Sequence, residues 1–113
     1  MPKIRIRAYQ DVLINFLKDL NGRNWGTIAL IYDSKRNQAA LGASVASPYT
    51  PFIKSKGRDS ALFRARGALL SSKARTQDLN ALIDLNKDSE TSLKEIIRKA
   101  KIKYINGSYH LTV

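Results

Sequence analysis

Hydrophobic positions along this chain change period several times, and each change predicts an element. Residues 3–7 alternate Lys-Ile-Arg-Ile-Arg, which predicts a short strand with Ile4 and Ile6 inward. Residues 9–20 bring Val12, Leu13, Phe16, Leu17 and Leu20 to one helical face, and Gly22 follows as the C-cap. The run from Gly26 to Tyr32 is apolar and β-branched, as a buried strand requires. A polar turn over residues 33–38 then leads to a second strand, residues 39–47, with Leu41, Ala43 and Val45 on one face. These two strands form a hairpin.

Pro48 and Pro51 bound an extended loop, Ser-Pro-Tyr-Thr-Pro-Phe. A helix from about Asp59 to Ser72 follows, burying Leu62, Ala65 and Leu69. Thr76 is placed to cap a short helix that uses Leu79, Leu82 and Ile83. Ser89, or Ser92 through the capping box Ser92-x-x-Glu95, opens another, with Leu93, Ile96, Ile97 and Ala100 inward. In the tail, Asn106-Gly107 calls for a two-residue type I′ turn. That register sets Tyr104 opposite Tyr109 and Ile102 opposite Leu111 on an inward face, with Lys101, Lys103, His110 and Thr112 on the other. The expected architecture is a single α+β domain over residues 1–113: a small antiparallel sheet of hairpins packed against helices. The tail hairpin either extends that sheet or stands off as a wing.

Charge changes this picture. The 113 residues carry 20 Lys and Arg against 9 Asp and Glu, a net charge of +11. The excess is local: residues 1–33 are net +2, residues 34–76 net +8, and residues 77–113 net +1. A basic patch of this kind favours an anionic partner. Absence of Cys excludes disulfides, thiolate metal sites and Cys nucleophiles, and a single His leaves nothing for a His-based triad. No apolar run approaches the roughly 20 residues that span a bilayer, and Met-Pro-Lys-Ile-Arg-Ile-Arg has no secretory h-region. A soluble cytoplasmic protein is expected, with no cofactor and no metal.

The basic stretch suggests a phosphate-binding surface. Lys54, Lys56 and Arg58 precede the expected helix and converge on its positive N-terminal end. Arg64, Arg66 and Lys73 follow, the last two seven apart and so on one face. Lys35 and Arg36 join them from the hairpin turn. Tyr49 and Phe52 in the proline-bounded loop are candidates for stacking on unpaired bases, although aromatics in such loops commonly anchor on the core. Asp33-Ser-Lys35 at a strand end is a faint echo of metal-dependent nucleases. No second carboxylate follows at strand spacing, however, and Asp33 and Asp59 each have a structural task, in a turn and in a first helical turn. No P-loop, G-x-G-x-x-G or G-x-S-x-G motif occurs. A non-enzyme is expected.

Three resemblances add expectations. The order helix, strand, strand, then Lys-Ser-Lys-Gly-Arg-Asp-Ser-Ala-Leu-Phe-Arg-Ala-Arg resembles part of a double-stranded RNA-binding domain. That likeness implies phosphate contacts by Lys54, Lys56 and Arg58 across a groove. Residues 76–113 resemble a winged helix-turn-helix, with residues 89–101 as recognition helix and residues 101–113 as wing. The stretch from Ser47 to Arg66 looks like one recurrent in small basic phage and mobile-element proteins, which implies a viral or mobile-element origin and a host cytoplasm. The expected function is non-catalytic binding of DNA or RNA through residues 34–76. The alternative is a protein–protein inhibitor or adaptor whose basic face docks an acidic surface of a host protein. A second copy of the chain is a further partner to consider, and no membrane is.

Overall fold

The computed structural model describes residues 10–47, 49, 51–75, 78–86 and 92–113. The expected strand over residues 3–7, the Thr76 cap and the Ser89 helix start lie outside these. Among the described residues, six strands in two antiparallel sheets and two helices make the fold α+β. A four-stranded meander, β1 (Gln10–Lys18), β2 (Asn24–Asp33), β3 (Gln38–Val45) and β4 (Asn80–Asp84), has the order β1-β2-β3-β4. Helix α1 (Lys54–Ser71) crosses from β3 to β4. Helix α2 (Leu93–Lys99) leads into a two-stranded ribbon, β5 (Lys101–Ile105) and β6 (Ser108–Thr112). Among the described residues no helix is long and apolar enough to cross a membrane.

Two expected helices are strands. Residues 9–20 show helical spacing, yet residues 10–18 pair with β2 along their whole length, Val12 opposite Ile31 and Phe16 opposite Thr27. The ambiguity is physical: apolar residues at positions 12, 13, 16 and 17 satisfy one helical face, or both faces of a strand covered on each side. Here Val12 packs on one side of the sheet and Leu13 and Leu17 on the other. Leu20 is fully exposed in the turn, and Gly22 (φ +77°) serves that turn rather than a helix end. Similarly, Leu79, Leu82 and Ile83 do not line a short helix. Asn80–Asp84 pairs with β3, Leu82 opposite Ala40 and Ile83 opposite Ala39.

The sheet separates two cores. On one side Ile31 and Ala40 meet Ala65, Ala68 and Leu69 of α1. On the other, Ile28, Leu30, Leu41 and Ala43 meet Ile96, Ile97 and Ala100 of α2 and Leu111 of the ribbon. Helix α2 begins as expected, with Ser92 Oγ accepting the Glu95 N–H at 3.2 Å. The ribbon register also holds: Tyr104 faces Tyr109, Ile102 faces Leu111, and Asn106 and Gly107 take φ +50° and +84°. The ribbon neither extends the main sheet nor stands wholly free, since Leu111 is buried under the second core. The tyrosines do not point inward. They lie near the turn, 66% and 42% exposed, edge to face with centroids 5.0 Å apart.

Close approach defines the α1 side. A Cβ at Gly42 would meet the Ala61 carbonyl and the Ala65 N–H of α1 well inside contact distance, and one at Gly57 would meet the buried Thr27 hydroxyl. Gly57, Ala61, Ala65 and Ala68 thus form a small-residue stripe that brings helix backbone down onto strand backbone. Gly42→Ala is expected to cost about 3 kcal/mol, the upper end for overpacking. Gly67→Ala, where an added Cβ meets nothing within 4 Å, should instead stabilise by roughly 0.5–1 kcal/mol. Urea denaturation of both variants checks the pair.

Candidate nucleic-acid interface

The sequence-nominated basic residues gather around α1, at two ends rather than on one face. The helix starts earlier than its apolar period indicates, at Lys54, with Ile53 as N-cap in extended conformation. Lys54, Lys56 and Arg58 therefore belong to its first turns instead of preceding them. No side chain caps this end, and the first turn contains no acid. All three are exposed. Lys54 Nζ sits 5.2 Å from the centre of the Phe16 ring, and Arg58 Nε lies 3.6 Å from Asp59 at the surface.

Beside this end runs a cleft of about 400 Å³ whose lining includes Val45, Pro51, Phe52, Lys56, Gly57 and Ser60. Phe52, a candidate for base stacking, is half-buried here and meets Phe16 edge-on at 6.1 Å. It is an anchor that seats the loop on β1. Tyr49 is the opposite case, 92% exposed with its ring open to solvent.

The other basic residues are divided between structural and surface roles. Arg64 is half-buried and donates from Nη1 to the Ala43 carbonyl at 2.6 Å, tying α1 to the end of β3. Arg36 donates to the Leu69 carbonyl at 3.1 Å and lies 3.8 Å from Asp33, so its guanidinium closes the far end of α1. Arg66 is half-buried, its Nε enclosed. Lys35 is exposed in the β2–β3 turn. Lys73 is exposed beyond the helix, because Ser72 (φ 54°) breaks it in the left-handed region. Arg66 and Lys73 therefore do not share a helical face. Exposed charge sits at the first turns (Lys54, Lys56, Arg58) and near the last (Lys35, Arg36, Lys73). An 18-residue helix separates the two groups, a span of about 27 Å.

Between the two groups the outer face of α1 carries Phe63, 76% exposed, and Leu70, 56% exposed. The sequence reading passed over both. The signal was available: Phe63 and Leu70 are seven apart and nearly opposite the Ala61–Ala65 stripe, so a helix buried on that stripe must expose them. The acids nominated for metal chemistry do not come together. Asp33 is buried at the closing end of α1, accepting from the Lys35 N–H at 3.0 Å, whereas Asp59 is exposed near the opening end. His110 is half-buried rather than free on a polar face, with Nε2 3.1 Å from Ser108 Oγ.

The fold also alters two resemblances. Among the described residues three strands precede α1, and residues 10–18, expected as the helix that opens a double-stranded RNA-binding domain, form the first of them. β4 replaces the first helix of the helix pair that a winged helix-turn-helix requires. Compared with protein-family models, curated proteins and solved structures, the chain matches none.

The division of roles has a direct test. Arg64→Met should lower stability by about 1–2 kcal/mol, since the Ala43 carbonyl loses a charged donor in a half-buried setting. Lys56→Met, at an exposed position, should stay within about 0.5 kcal/mol of the parent. Thermal unfolding of the two variants side by side makes the comparison.

Proposed function

We propose that this chain binds nucleic acid without catalysis, holding phosphates at the opening end of α1 and at its closing end. The observation that carries the reading is the first of these. Lys54, Lys56 and Arg58 belong to the first turns of a helix with no capping side chain and no acid in its first turn. Positive side chains, the helix dipole and the first-turn N–H groups each favour an anionic oxygen at this end. The local charge of residues 34–76, net +8, adds long-range attraction for a polyanion. Contacts of this kind position a strand or duplex and carry little sequence information. A viral or mobile-element protein acting in a host cytoplasm remains the setting that best suits this reading.

A second reading is favoured by one specific observation. Phe63 and Leu70 place apolar surface between the basic groups, and a protein partner with an acidic rim and an apolar centre would match that face better than a phosphate backbone.

Salt titration separates the two. Binding to a duplex or a single strand should weaken steeply with salt, with log K falling by about 0.9 per log salt for each duplex phosphate contacted. The triple change Lys54→Gln, Lys56→Gln, Arg58→Gln should flatten that slope more than Lys94→Gln, Arg98→Gln, Lys101→Gln does. A salt-independent affinity, or a larger effect from the second set, would overturn the assignment.

Chemistry gives a further expectation. With Asp33 and Asp59 at opposite ends of α1, incubation of DNA or RNA with the protein and Mg²⁺ or Mn²⁺ should leave the strands intact. Metal-dependent nicking that disappears in Asp33→Asn or Asp59→Asn would make the protein an enzyme.

A further inference from the structure

The outer edge of β1 has no partner strand among the described residues, because the sheet order puts β1 at one margin. The opposite margin, β4, has only 5 residues, whereas β1 has 9. A long edge presents a row of unpaired N–H and C=O groups, and proteins that remain single blunt such edges with shortness, proline or inward-pointing charge. β1 uses none of these, and its register shift falls at its last residues, Leu17 and Lys18, leaving the stretch before it regular. From Val12 to Leu17 it reads Val-Leu-Ile-Asn-Phe-Leu, uncharged and without proline, with Asp11 and Lys18 at its ends. All six of these residues are half-buried, so their apolar surface is neither sealed in a core nor open to water. Helix α1 lies over β2, β3 and β4, to one side of this strand.

We infer that the β1 edge pairs antiparallel with the same edge of a second copy, joining two four-stranded sheets into one of eight strands. The occupant follows from self-complementarity. A two-fold axis normal to the sheet keeps the α1 faces of both copies on one side, so only registers that match like faces are allowed. With Ile14 on the axis, Ile14 meets its own twin and Val12 meets Phe16 of the second copy, twice over. These are β-branched and aromatic pairs of the kind that stabilise a sheet. Asp11 then lies opposite Leu17, and Gln10 opposite Lys18. Sliding the pair two residues one way sets Val12 against Lys18 of the second copy and carries Asp11 beyond the strand end, toward Asp19 in the turn. Sliding it the other way sets Gln10 against Phe16 and loses the Val12–Phe16 pairs. Chemistry and symmetry therefore select one register. The inference is independent of nucleic-acid binding.

The absence of cysteine makes the register measurable on the full chain. Twin residues on the axis have Cα atoms about 4.5–5.5 Å apart, inside the disulfide range. The two Val12 residues, on the same face, would be about 14 Å apart. Ile14→Cys should therefore convert to a disulfide-linked dimer under mild oxidant at least tenfold faster than Val12→Cys. The parent chain should sediment at twice 12.7 kDa at high micromolar concentration and about 0.15 M salt, where repulsion between two basic copies is screened over about 8 Å. Ile14→Lys, which sets two ammonium groups face to face, should sediment as monomer with the circular-dichroism spectrum of the parent. A monomeric parent throughout, equal oxidation rates for the two cysteine variants, or a dimer unaffected by Ile14→Lys would each reject this interface. Should Ile14→Lys fail to fold, the oxidation-rate comparison still decides.

Discussion

The contact on which the rest depends is the meeting of two backbones, α1 and β3, at Gly42. Because nothing larger than hydrogen fits between that residue and the Ala61 carbonyl and Ala65 N–H, the helix sits lower than ordinary side-chain packing permits. Arg64 can then span to the Ala43 carbonyl, and Arg36 can reach the Leu69 carbonyl at the other end. The helix is held at its middle by shape and by the Arg64 guanidinium, and at its closing end by that of Arg36. Arginine suits both posts, since a planar donor fork keeps its charge while bonding a carbonyl. The opening turns carry no such tie among the described residues, and Lys54, Lys56 and Arg58 are exposed there.

Low helix placement also determines what lies outside. A stripe of glycine and alanine supplies little apolar area, so the larger side chains of α1 are not all needed underneath. Leu69 is buried beside the stripe, Leu62 is half-buried at its flank, and Phe63 and Leu70 are left in solvent. A helix packed through leucines would have turned a different face outward, and the basic residues with it. The surface that bears on function is thus a by-product of how the core is packed.

Much of this was legible beforehand where two independent signals agreed. Asn106-Gly107 and the alternation around it named the ribbon and its register, and Ser92 with Glu95 named the start of α2. The β2–β3 hairpin and the central basic helix were legible from turn chemistry and periodicity. Residues 10–18 and 80–84 were not, for one shared reason. A short strand covered on both faces has no polar alternate positions, so its apolar spacing imitates a helix, and only its neighbours decide. The site was legible as a charge excess and not as a geometry. Nothing in the one-dimensional pattern distinguished Arg64 and Arg36, which bond backbone carbonyls, from Lys54, which lies over the Phe16 ring, or from the exposed Lys56. Nor could it show that Phe52 would find Phe16, since residues 9–20 then read as a helix.

The ribbon formed by β5 and β6 has one more consequence. Of its strand residues only Leu111 is fully enclosed by the rest of the molecule, while Ile102, His110 and Thr112 are half-buried and the others exposed. Two strands joined by a tight turn are marginal in isolation, so this segment draws its order from the Tyr104–Tyr109 ring contact near the turn and from Ile102 and Leu111, which pack on the second core at the other end. With so little of the ribbon enclosed, its amides are expected to exchange through a local opening that leaves the four-stranded sheet paired. The ribbon tip and the sheet body locked at Gly42 thus form two candidate cooperative units of unequal packing.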